Sequence, residues 1–382
     1  MPDSEEKEAL RVLSIVPYNI FPSKSGGQKG ISLFNEYFAQ EVELHCASVD
    51  SNLQRYAKGY TMHSVLSSSA FRYINPLVFF RMRKLIKTYN ISHLILEHTY
   101  FGWLGVLLKW FCGVKLVIHS HNIESTRWKS LGKWWWRVLW AYEGWTHGRA
   151  NYNFFIHDND REYAINAYKL NPRRCTTVTY GIEWNQQPTN SDKVSCRQQL
   201  CEKHGLNSNT KIFIFNGALD YYPNQQALSA ILEIINPQLL SKPGNNFQYR
   251  ILICGRGLPQ KFNELKEYTL KNIVYAGFVD DISVYFKGAD VFINPVVDGG
   301  GIKTKLVEAI GSGTPAISTL NGSIGIGDEA GRMLSIVHDA DWDNFVKAMI
   351  NITSAGAGST PTTFYEKFYW GNIVKRAVNF IR

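Results

Sequence analysis

Cysteine pairs and long hydrophobic runs are both missing from this chain. Its six cysteines are scattered over 382 residues without a CxxC pair, so the sequence predicts neither a disulfide framework nor a structural zinc site. The longest apolar window, residues 101–118, is interrupted by Lys109 and Lys115 and falls short of a membrane-spanning helix. The first residues, MPDSEEKEAL, lack the basic and apolar regions of a secretory signal peptide. We therefore expect a cytoplasmic protein, soluble or peripherally attached at the inner face of the plasma membrane.

Acidic residues are missing from a long stretch of the first half. Residues 51–96 contain no Asp or Glu but carry seven basic residues. Residues 1–190 hold 22 Lys and Arg against 15 Asp and Glu, whereas residues 191–382 hold 19 against 17. This surplus predicts an anionic partner, which is a phosphorylated ligand, a nucleic acid or a lipid surface. We expect no nucleic-acid partner, because no recognition motif accompanies the charge.

Two segments of the first half combine aromatic with basic residues. They are FRYINPLVFFRMRKLIKTYN at 71–90 and LGKWWWRVLWAYEGW at 131–145. This combination is typical of segments that lie in a membrane interface. The alternative is that both are core helices with basic solvent faces, because aromatic stripes usually pack inward. The sequence leaves both interpretations open.

Short β-branched runs alternate with longer amphipathic stretches, which is typical of βαβ units and parallel sheets. The strands expected in the first half are RVLSIVPY, VELHCASV, SHLILEH, VKLVIHS, NYNFFIH and CTTVTYG. After a polar, turn-rich stretch the pattern restarts with KIFIFNG, QYRILICG, NIVYAGF, DVFINPV, PAIST and MLSIV. We therefore predict an α/β protein with two doubly wound, Rossmann-like domains at residues 1–186 and 211–364. A linker with a connecting helix occupies 187–210, and a C-terminal helix at 365–382 crosses between the domains and packs back toward the first.

Ligands of such sheets bind where strands end and helices begin, and two of these places in the first half are unusual. The loop at 22–30 contains Gly26 and Gly27 and is predicted to open a helix at about Ile31. Adjacent glycines let a backbone approach an anion closely, although a flexible turn explains them as well. The segment HSHNIE at 119–124 ends a buried strand, where polar groups need partners.

The strongest motif of the second half is NPVVDGGGIKTKLVE at 294–308. Gly299, Gly300 and Gly301 follow a strand and lead into a helix that carries Lys303 and Lys305. Backbone N–H groups, the helix dipole and lysine charge together favour phosphate. Glu308, one turn later, can accept hydrogen bonds from a ribose diol. The alternative is an ordinary amphipathic helix with a glycine entry. Gly255 and Arg256, in the short turn CGRG, are weaker candidates.

We predict no metal site. The pair His119 and His121 shows no third ligand at a fixed spacing. Asp158 and Asp160 form a DxD pattern, but this pattern lies at a strand-to-helix junction where Asp is a common N-cap.

The order and spacing of these motifs resemble the GT-B retaining glycosyltransferases of family GT4. The likeness includes the Gly26–Gly27 loop, His121 within HNIE, Glu143, and the segments TVTYGIEW, FNGALDYYPN, CGRG, YAGFVDD, GGGIKTKLVEAIGSGTPAIST and FYWGNIVKRAV. The resemblance implies two domains facing a central cleft. It also implies a nucleotide-sugar donor held mainly by the second domain and an acceptor held by the first.

Site residues follow from the resemblance position by position. Glu308 is similar to the ribose-binding second glutamate of the E-x7-E motif, and His121 to the histidine near the donor sugar. The donor-binding set it implies comprises Gly26, Gly27, Gly217, Gly255, Arg256, Gly299, Gly300, Gly301, Lys303 and Glu308. The catalytic set comprises His121, Lys305 and Asp298.

This chain departs from the family pattern at three positions. The first glutamate of E-x7-E falls on Gly300, with Asp298 the nearest acid, and the usual phosphate-binding Arg and Lys fall on Ala218 and Asn224. Phosphate charge must then be met by Lys303, Lys305 and the glycine N–H groups.

The function implied by the resemblance is a retaining, metal-independent transfer. The sugar moves from a UDP- or GDP-sugar to a glycan or lipid-linked acceptor, in surface polysaccharide or glycolipid synthesis. The nucleotide sugar is a substrate, so no cofactor is expected. The alternatives are an inactive nucleotide-binding scaffold and a sugar-nucleotide epimerase of the same fold.

Overall fold

The computed structural model describes residues 10–23, 25–241, 248–355 and 358–382. The chain forms two compact units, one of residues 1–181 with 370–382 and one of residues 182–369. The chain passes from one unit to the other between residues 181 and 182 and again between 369 and 370. The boundaries predicted from the sequence are 186/187 and 364/365. Each unit has its own parallel sheet.

The sheet of the first unit has seven parallel strands in the order β3-β2-β1-β4-β5-β6-β7. The strands are β1 (Arg11–Ile15), β2 (Glu43–Val49), β3 (Thr61–Leu66), β4 (His93–Glu97), β5 (Lys115–Ser120), β6 (Tyr152–Phe155) and β7 (Cys175–Thr177). All were predicted except β3. This strand lies at the sheet edge and is only partly buried, so its sequence, TMHSVL, lacks the apolar run of a central strand.

Six helices follow these strands. They are α1 (Gly26–Phe38), α2 (Leu77–Thr88), α3 (Gly102–Cys112), α4 (Glu124–Ser130), α5 (Trp136–Arg149) and α6 (Asp158–Tyr168). Helix α1 begins before the predicted Ile31, because Ser25 caps it and accepts a hydrogen bond from the Gln28 backbone N–H at 3.4 Å. The cap of α6 is His157, and not an aspartate, since its Nδ1 accepts from the Asp160 N–H at 3.1 Å.

The sheet of the second unit has six parallel strands in the order β10-β9-β8-β11-β12-β13. They are β8 (Lys211–Asn216), β9 (Tyr249–Cys254), β10 (Ile273–Gly277), β11 (Val291–Asn294), β12 (Ala316–Thr319) and β13 (Leu334–Val337). The helices are α7 (Asn190–His204), α8 (Tyr222–Ala230), α9 (Asn236–Ser241), α10 (Ile282–Gly288), α11 (Thr304–Gly311), α12 (Trp342–Ala355) and α13 (Thr362–Phe368). All six strands were predicted. The central strands β8, β9, β11 and β12 are nearly continuous apolar runs that are buried along most of their length, whereas the edge strands β10 and β13 are only partly buried.

Residues 187–210, expected as a linker, belong to the second unit. They contain α7, which begins with a reciprocal capping box between Thr189 and Asp192. Arg197 of α7 pairs with Asp290 at 2.6 Å, just beyond α10. This pairing and the packing of α7 against α10 attach the helix to one unit.

The C-terminal segment contains two helices instead of one. Helix α13 ends at Phe368, Tyr369 is extended, and α14 (Trp370–Ile381) belongs to the first unit. The Trp370 ring lies edge-on to Phe34, with 6.4 Å between centroids. His93 Nε2 lies 3.2 Å from the Ile381 carbonyl oxygen. These contacts hold the final helix on the first sheet.

Both sheets bring strand ends together where the strand order reverses, between β1 and β4 and between β8 and β11. Ligand sites of doubly wound sheets form at these points. In the described part of the chain, no helix combines the length and apolar character needed to cross a membrane.

Candidate functional site

A cavity of about 320 Å³ lies in the first unit, beside the ends of β1, β4 and β5. Its lining is polar and comprises Tyr18, Ser25, Gly27, Gln28, His98, Tyr100, His121, Asn122, Glu124 and Arg127. A Cβ placed on Gly27 would meet nothing within 4 Å, so the first turn of α1 is open on this side. Of the predicted residues, Gly26, Gly27 and His121 belong to this unit.

Three side chains meet at the end of β4 and β5, of which Glu97 and His119 are buried and His121 is partly exposed. Glu97 Oε2 lies 2.6 Å from His121 Nε2 and 3.0 Å from His119 Nδ1. Glu97 and His119 are partners in the parallel register of the two strands. Burial raises the pKa of Glu97, but the charges and hydrogen bonds of His119 and His121 outweigh it and hold that pKa well below its usual value. The carboxylate is therefore ionised and accepts both hydrogen bonds.

Glu97, His119 and His121 are also a set that could hold a metal ion, since their ligand atoms lie within 4.8 Å of one another. Two histidines and a glutamate form a common zinc set. However, ligand atoms around a tetrahedral zinc ion lie roughly 3.3 Å apart, whereas the Glu97–His121 and Glu97–His119 distances are 2.6 and 3.0 Å. These distances are those of hydrogen bonds.

A second group of buried polar atoms lines the same cavity. Tyr18 Oη lies 2.9 Å from His98 Nε2, and His98 Nδ1 lies 3.6 Å from Glu124 Oε1. Among the described residues, His98 Nδ1 and Glu124 Oε1 have no hydrogen-bond partner. Burial raises the pKa of Glu124, although Arg127, 3.3 Å from its Oε2, opposes this rise. Unpartnered donors and acceptors beside a cavity suit a polar ligand.

Glu143, in the middle of α5, holds the start of α4. Its carboxylate accepts the backbone N–H groups of Glu124 and Ser125, both at 2.9 Å, and the Tyr168 hydroxyl at 3.1 Å. The first N–H groups of a helix have no partner within it, so this buried carboxylate acts as a distant N-cap. It fixes the turn that carries His121 and Glu124.

In the second unit the glycine loop is closed by its own lysine. Gly299 and Gly301 have φ values of +90° and +73°, which other residues adopt only with strain. Lys303 Nζ donates to the carbonyl oxygen of Gly299 at 2.6 Å and to that of Gly301 at 3.2 Å. Burial lowers the pKa of Lys303 to about 8, against a smaller opposing effect of Asp298. Lys303 thus stabilises the loop in this conformation.

Lys305 and Glu308 face each other across the first two turns of α11. Their Nζ and Oε2 atoms lie 2.9 Å apart, and Glu308 is buried. Asp298 is exposed, and its Oδ1 accepts the Gly299 N–H at 2.6 Å. The structure therefore joins Asp298, the three glycines and Lys303 in one loop, and it pairs Lys305 with Glu308 on the helix that follows.

Gly217 and Gly255 mark a close approach of two backbones at the ends of β8 and β9. A Cβ on Gly255, whose φ is +143°, would overlap the carbonyl oxygen of Gly217. Asn224 stands where the family usually has a phosphate-binding basic residue. Its Nδ2 donates to the Ala218 carbonyl oxygen at 2.9 Å, so this side chain stabilises a turn. Arg256 is exposed.

The sequence analysis did not single out Glu97, and it named Glu143 only as part of the family likeness, without a role. A signal existed for Glu97, because it ends a predicted strand, and strand ends of a parallel sheet converge. Glu143 gave no signal of its role, since the N–H groups that it caps lie on another helix.

Family models match most of both units. A model described as "Glycosyl transferases group 1" matches residues 210–355, and one described as "Glycosyltransferase Family 4" matches residues 33–185. A curated relative, an uncharacterized 44.6 kDa protein in the cps region of Klebsiella pneumoniae, is 26% identical over 157 residues. This alignment covers 40% of the present chain and 39% of that protein, so the chain matches about two-fifths of the relative's length.

Solved structures share the whole fold. HepE of Anabaena, in complex with UDP, superposes with a TM-score of 0.73 at 13% identity, over 97% of this chain and 99% of HepE. HepE has also been solved with UDP-glucose. WaaB, a lipopolysaccharide outer core galactosyltransferase, gives a TM-score of 0.66 at 13% identity, over 97% and 99%. With this topology in both units and a matching family model on each, the chain belongs to the glycosyl transferases of group 1 and family 4, which have the GT-B fold.

Proposed function

We propose that this protein transfers a sugar from a nucleotide-diphosphate donor, a UDP- or GDP-sugar, to a glycan or lipid-linked acceptor. The transfer retains the anomeric configuration and uses neither a metal ion nor a cofactor. We place the reaction in surface polysaccharide or glycolipid synthesis. A relative from a capsule region and the fold shared with a lipopolysaccharide galactosyltransferase support this placement.

The observation that carries the proposal is buried Glu308, which lies near the start of α11, the helix that follows the three-glycine loop. A helix N-terminus and glycine N–H groups favour phosphate, and a buried carboxylate beside them suits a ribose diol. HepE, which shares the fold, binds UDP and UDP-glucose.

The proposed chemistry is a displacement on one face of the sugar. The acceptor oxygen bonds to the anomeric carbon as the bond to the leaving diphosphate breaks, and the acceptor proton passes to that diphosphate. The chain's task is to position the reactants and to stabilise the developing phosphate charge. Lys305 and the N–H groups of Gly300 and Gly301 supply this stabilisation, because the Gly299 N–H already donates to Asp298 Oδ1. Because Lys305 pairs with Glu308 at 2.9 Å, it is already oriented in this position.

Nucleotide release from UDP- and GDP-sugars, measured with and without a membrane extract, tests the proposal. Release that requires the extract and persists in EDTA supports metal-independent transfer, and NMR of the product gives the anomeric configuration. Inverted product would refute retention. Interconversion of free sugar nucleotides without acceptor would identify an epimerase. Nucleotide binding without turnover would identify a scaffold, which the internal contacts of Lys303 favour.

We further propose that the first unit docks on an anionic membrane. We define its basic–aromatic surface by exposed residues of 71–90 and 131–138. Its large apolar side chains include Phe71, Ile74, Leu77, Phe80, Leu131, Trp134 and Val138, each more than half exposed. Exposed basic residues accompany them, including Arg81, Arg83, Lys84 and Lys87. Helix α2 packs Val78, Met82 and Ile86 into the core, but Phe71, Phe80 and Trp134 stay exposed. Each basic residue near an anionic surface contributes about 1 kcal/mol, so several suffice for reversible attachment.

Flotation with liposomes containing anionic lipid tests the membrane proposal. We expect binding at low salt, weaker binding at high salt, and at least a tenfold loss in the double variant Phe80→Ser, Trp134→Ser. The matched control is Leu270→Ser, because Leu270 is 97% exposed but lies in the second unit. Absence of binding at both salt concentrations, or an equal loss in the control, would remove the proposal.

A further inference from the structure

Glu97 does not line the cavity of the first unit, but it contacts a residue that does. Its carboxylate is fully buried, and its hydrogen-bond partner His121 lines the cavity. A carboxylate buried at this depth costs free energy unless its bonds are satisfied. The hydrogen bond to His121 is one of the contacts that satisfy the buried Glu97 carboxylate.

The contact determines which nitrogen of His121 carries a proton. An ionised carboxylate only accepts hydrogen bonds, so the 2.6 Å contact with Glu97 Oε2 requires a proton on Nε2. Within residues 10–23, 25–241, 248–355 and 358–382, the hydrogen bond and the ion pair of the His121 ring are both made by Nε2, and none is found for Nδ1. A neutral imidazole has one donor and one acceptor nitrogen. Nδ1 is then the acceptor.

Several groups decide whether His121 is neutral. Burial lowers the pKa of His121, and the nearby His119 lowers it further, whereas the charge and hydrogen bond of Glu97 raise it, with a net lowering. The other titratable or charged side chains that line the cavity are His98, Tyr18, Tyr100, Glu124 and Arg127. Near neutral pH the His121 ring is therefore uncharged, and its Nδ1 can accept a hydrogen bond.

We infer that Glu97 is a positioning residue that holds His121 protonated on Nε2, so that Nδ1 accepts a hydrogen bond from a hydroxyl group of a sugar in the cavity. This inference rests on the proposed function for the identity of the ligand. The lining supports a neutral ligand rich in hydroxyl groups, because it mixes donors such as Gln28 and Arg127 with acceptors such as Glu124. Glu124 Oε1 and His98 Nδ1, 3.6 Å apart and both unpartnered among the described residues, add two further positions for hydroxyl groups.

NMR of the ¹⁵N-histidine-labelled protein tests the inference without turnover. The His121 resonances are assigned by their loss in His121→Gln. We expect a proton on Nε2 and none on Nδ1 at pH 7.5, with no change on adding EDTA. UDP-glucose or GDP-mannose should shift the Nδ1 resonance, whereas UDP or GDP alone should not. A proton on Nδ1, an EDTA-dependent spectrum that zinc restores, or no response to either sugar nucleotide would overturn the inference.

The variant Glu97→Gln tests the role of the charge. Glutamine keeps the size and one acceptor, so the unit should fold, but it removes the effect that raises the pKa of His121. The acid limb of the kcat/KM pH profile should move to lower pH by about one unit or more, and kcat should fall about 10- to 100-fold.

His147→Gln is the matched control for this variant. His147 is a buried histidine that bonds Asn153 at 2.8 Å and is not part of the cavity lining. The His147→Gln variant should change neither the acid limb of the kcat/KM pH profile nor the His121 resonances. A uniform loss of activity in Glu97→Gln without a shift of the limb would mean that Glu97 is merely structural. A protein with the expected His121 spectrum that transfers no sugar would refute the proposed activity and not the role of Glu97.

Discussion

Substitution of Glu143 tests whether its carboxylate holds the start of α4, beside the cavity of the first unit. Its buried carboxylate accepts three hydrogen bonds, two from the backbone at the start of α4 and one from Tyr168. Hydrogen bonds to charged groups contribute about 1.5–3 kcal/mol each, which together exceeds 4 kcal/mol. Part of this is offset, because burial raises the pKa of Glu143 and thus disfavours its ionised form. We therefore expect Glu143→Ala to lower the free energy of unfolding by about 3 kcal/mol.

Glu143→Gln should cost less, about 2 kcal/mol, because one oxygen is kept while the other becomes an NH₂ group that faces a donor. A raised pKa also predicts a pH dependence. Above the ordinary pKa of 4.5 the unfolded chain loses this proton before the folded one does. The contribution of Glu143 therefore falls as pH rises toward its folded pKa, and this slope should vanish in Glu143→Gln.

Hydrogen exchange in urea, followed by mass spectrometry of peptides covering 118–130, measures the effect locally. This readout avoids a single unfolding midpoint for a chain of two units. The control is Glu162→Ala, an exposed glutamate on α6, which should change stability by less than about 0.5 kcal/mol. Protection of the α4 peptides within about 0.5 kcal/mol of the parent in Glu143→Ala would refute the capping role.

Three further predictions concern the second unit. Gly255→Ala should lower the stability of this unit by about 3 kcal/mol or more, because its Cβ would overlap a backbone carbonyl. Gly300→Ala, with nothing within 4 Å, should be tolerated. Equal protection of second-unit peptides in both variants, measured by hydrogen exchange in urea, would contradict this difference. Lys305→Ala should lower kcat about 10²-fold, by analogy with the loss of one preorganised donor, and unchanged turnover would remove its assignment. The pKa of Lys303 is about 8 against an ordinary 10.5, so between these values the unfolded chain binds more protons and stability should rise with pH. The rise, measured as the urea midpoint of the second unit's own transition at pH 8 and pH 10, should be smaller in Lys303→Met. An equal rise in both proteins would show that another group causes it.

Local pattern was sufficient for most of the architecture. Twelve of the thirteen strands follow from apolar runs bounded by turns, and only the half-buried edge strand β3 escaped. The glycine loop before α11 was also visible, because glycine, lysine and glutamate occur there within a few residues. Division of the C-terminal segment into α13 and α14 was not visible, since both halves have apolar residues at helical spacing.

The sequence did not predict which groups the charged side chains contact. Lys303 was expected to meet phosphate, yet in the structure it binds the carbonyl oxygens of its own loop. Local spacing gives the position of a side chain on a helix but not the direction in which a long, flexible one turns.

The sequence alone determined the fold class, the two sheets and the helix start behind the three glycines, because these depend on hydrophobic periodicity and on backbone preferences within a few residues. Only the tertiary structure decided that Glu97 lies beside His119 and His121 and that Glu143 caps α4. Strand order and register bring these groups together across long stretches of chain. The physical reason is that a buried carboxylate is tolerated only where distant donors converge on it, and that convergence is a property of packing.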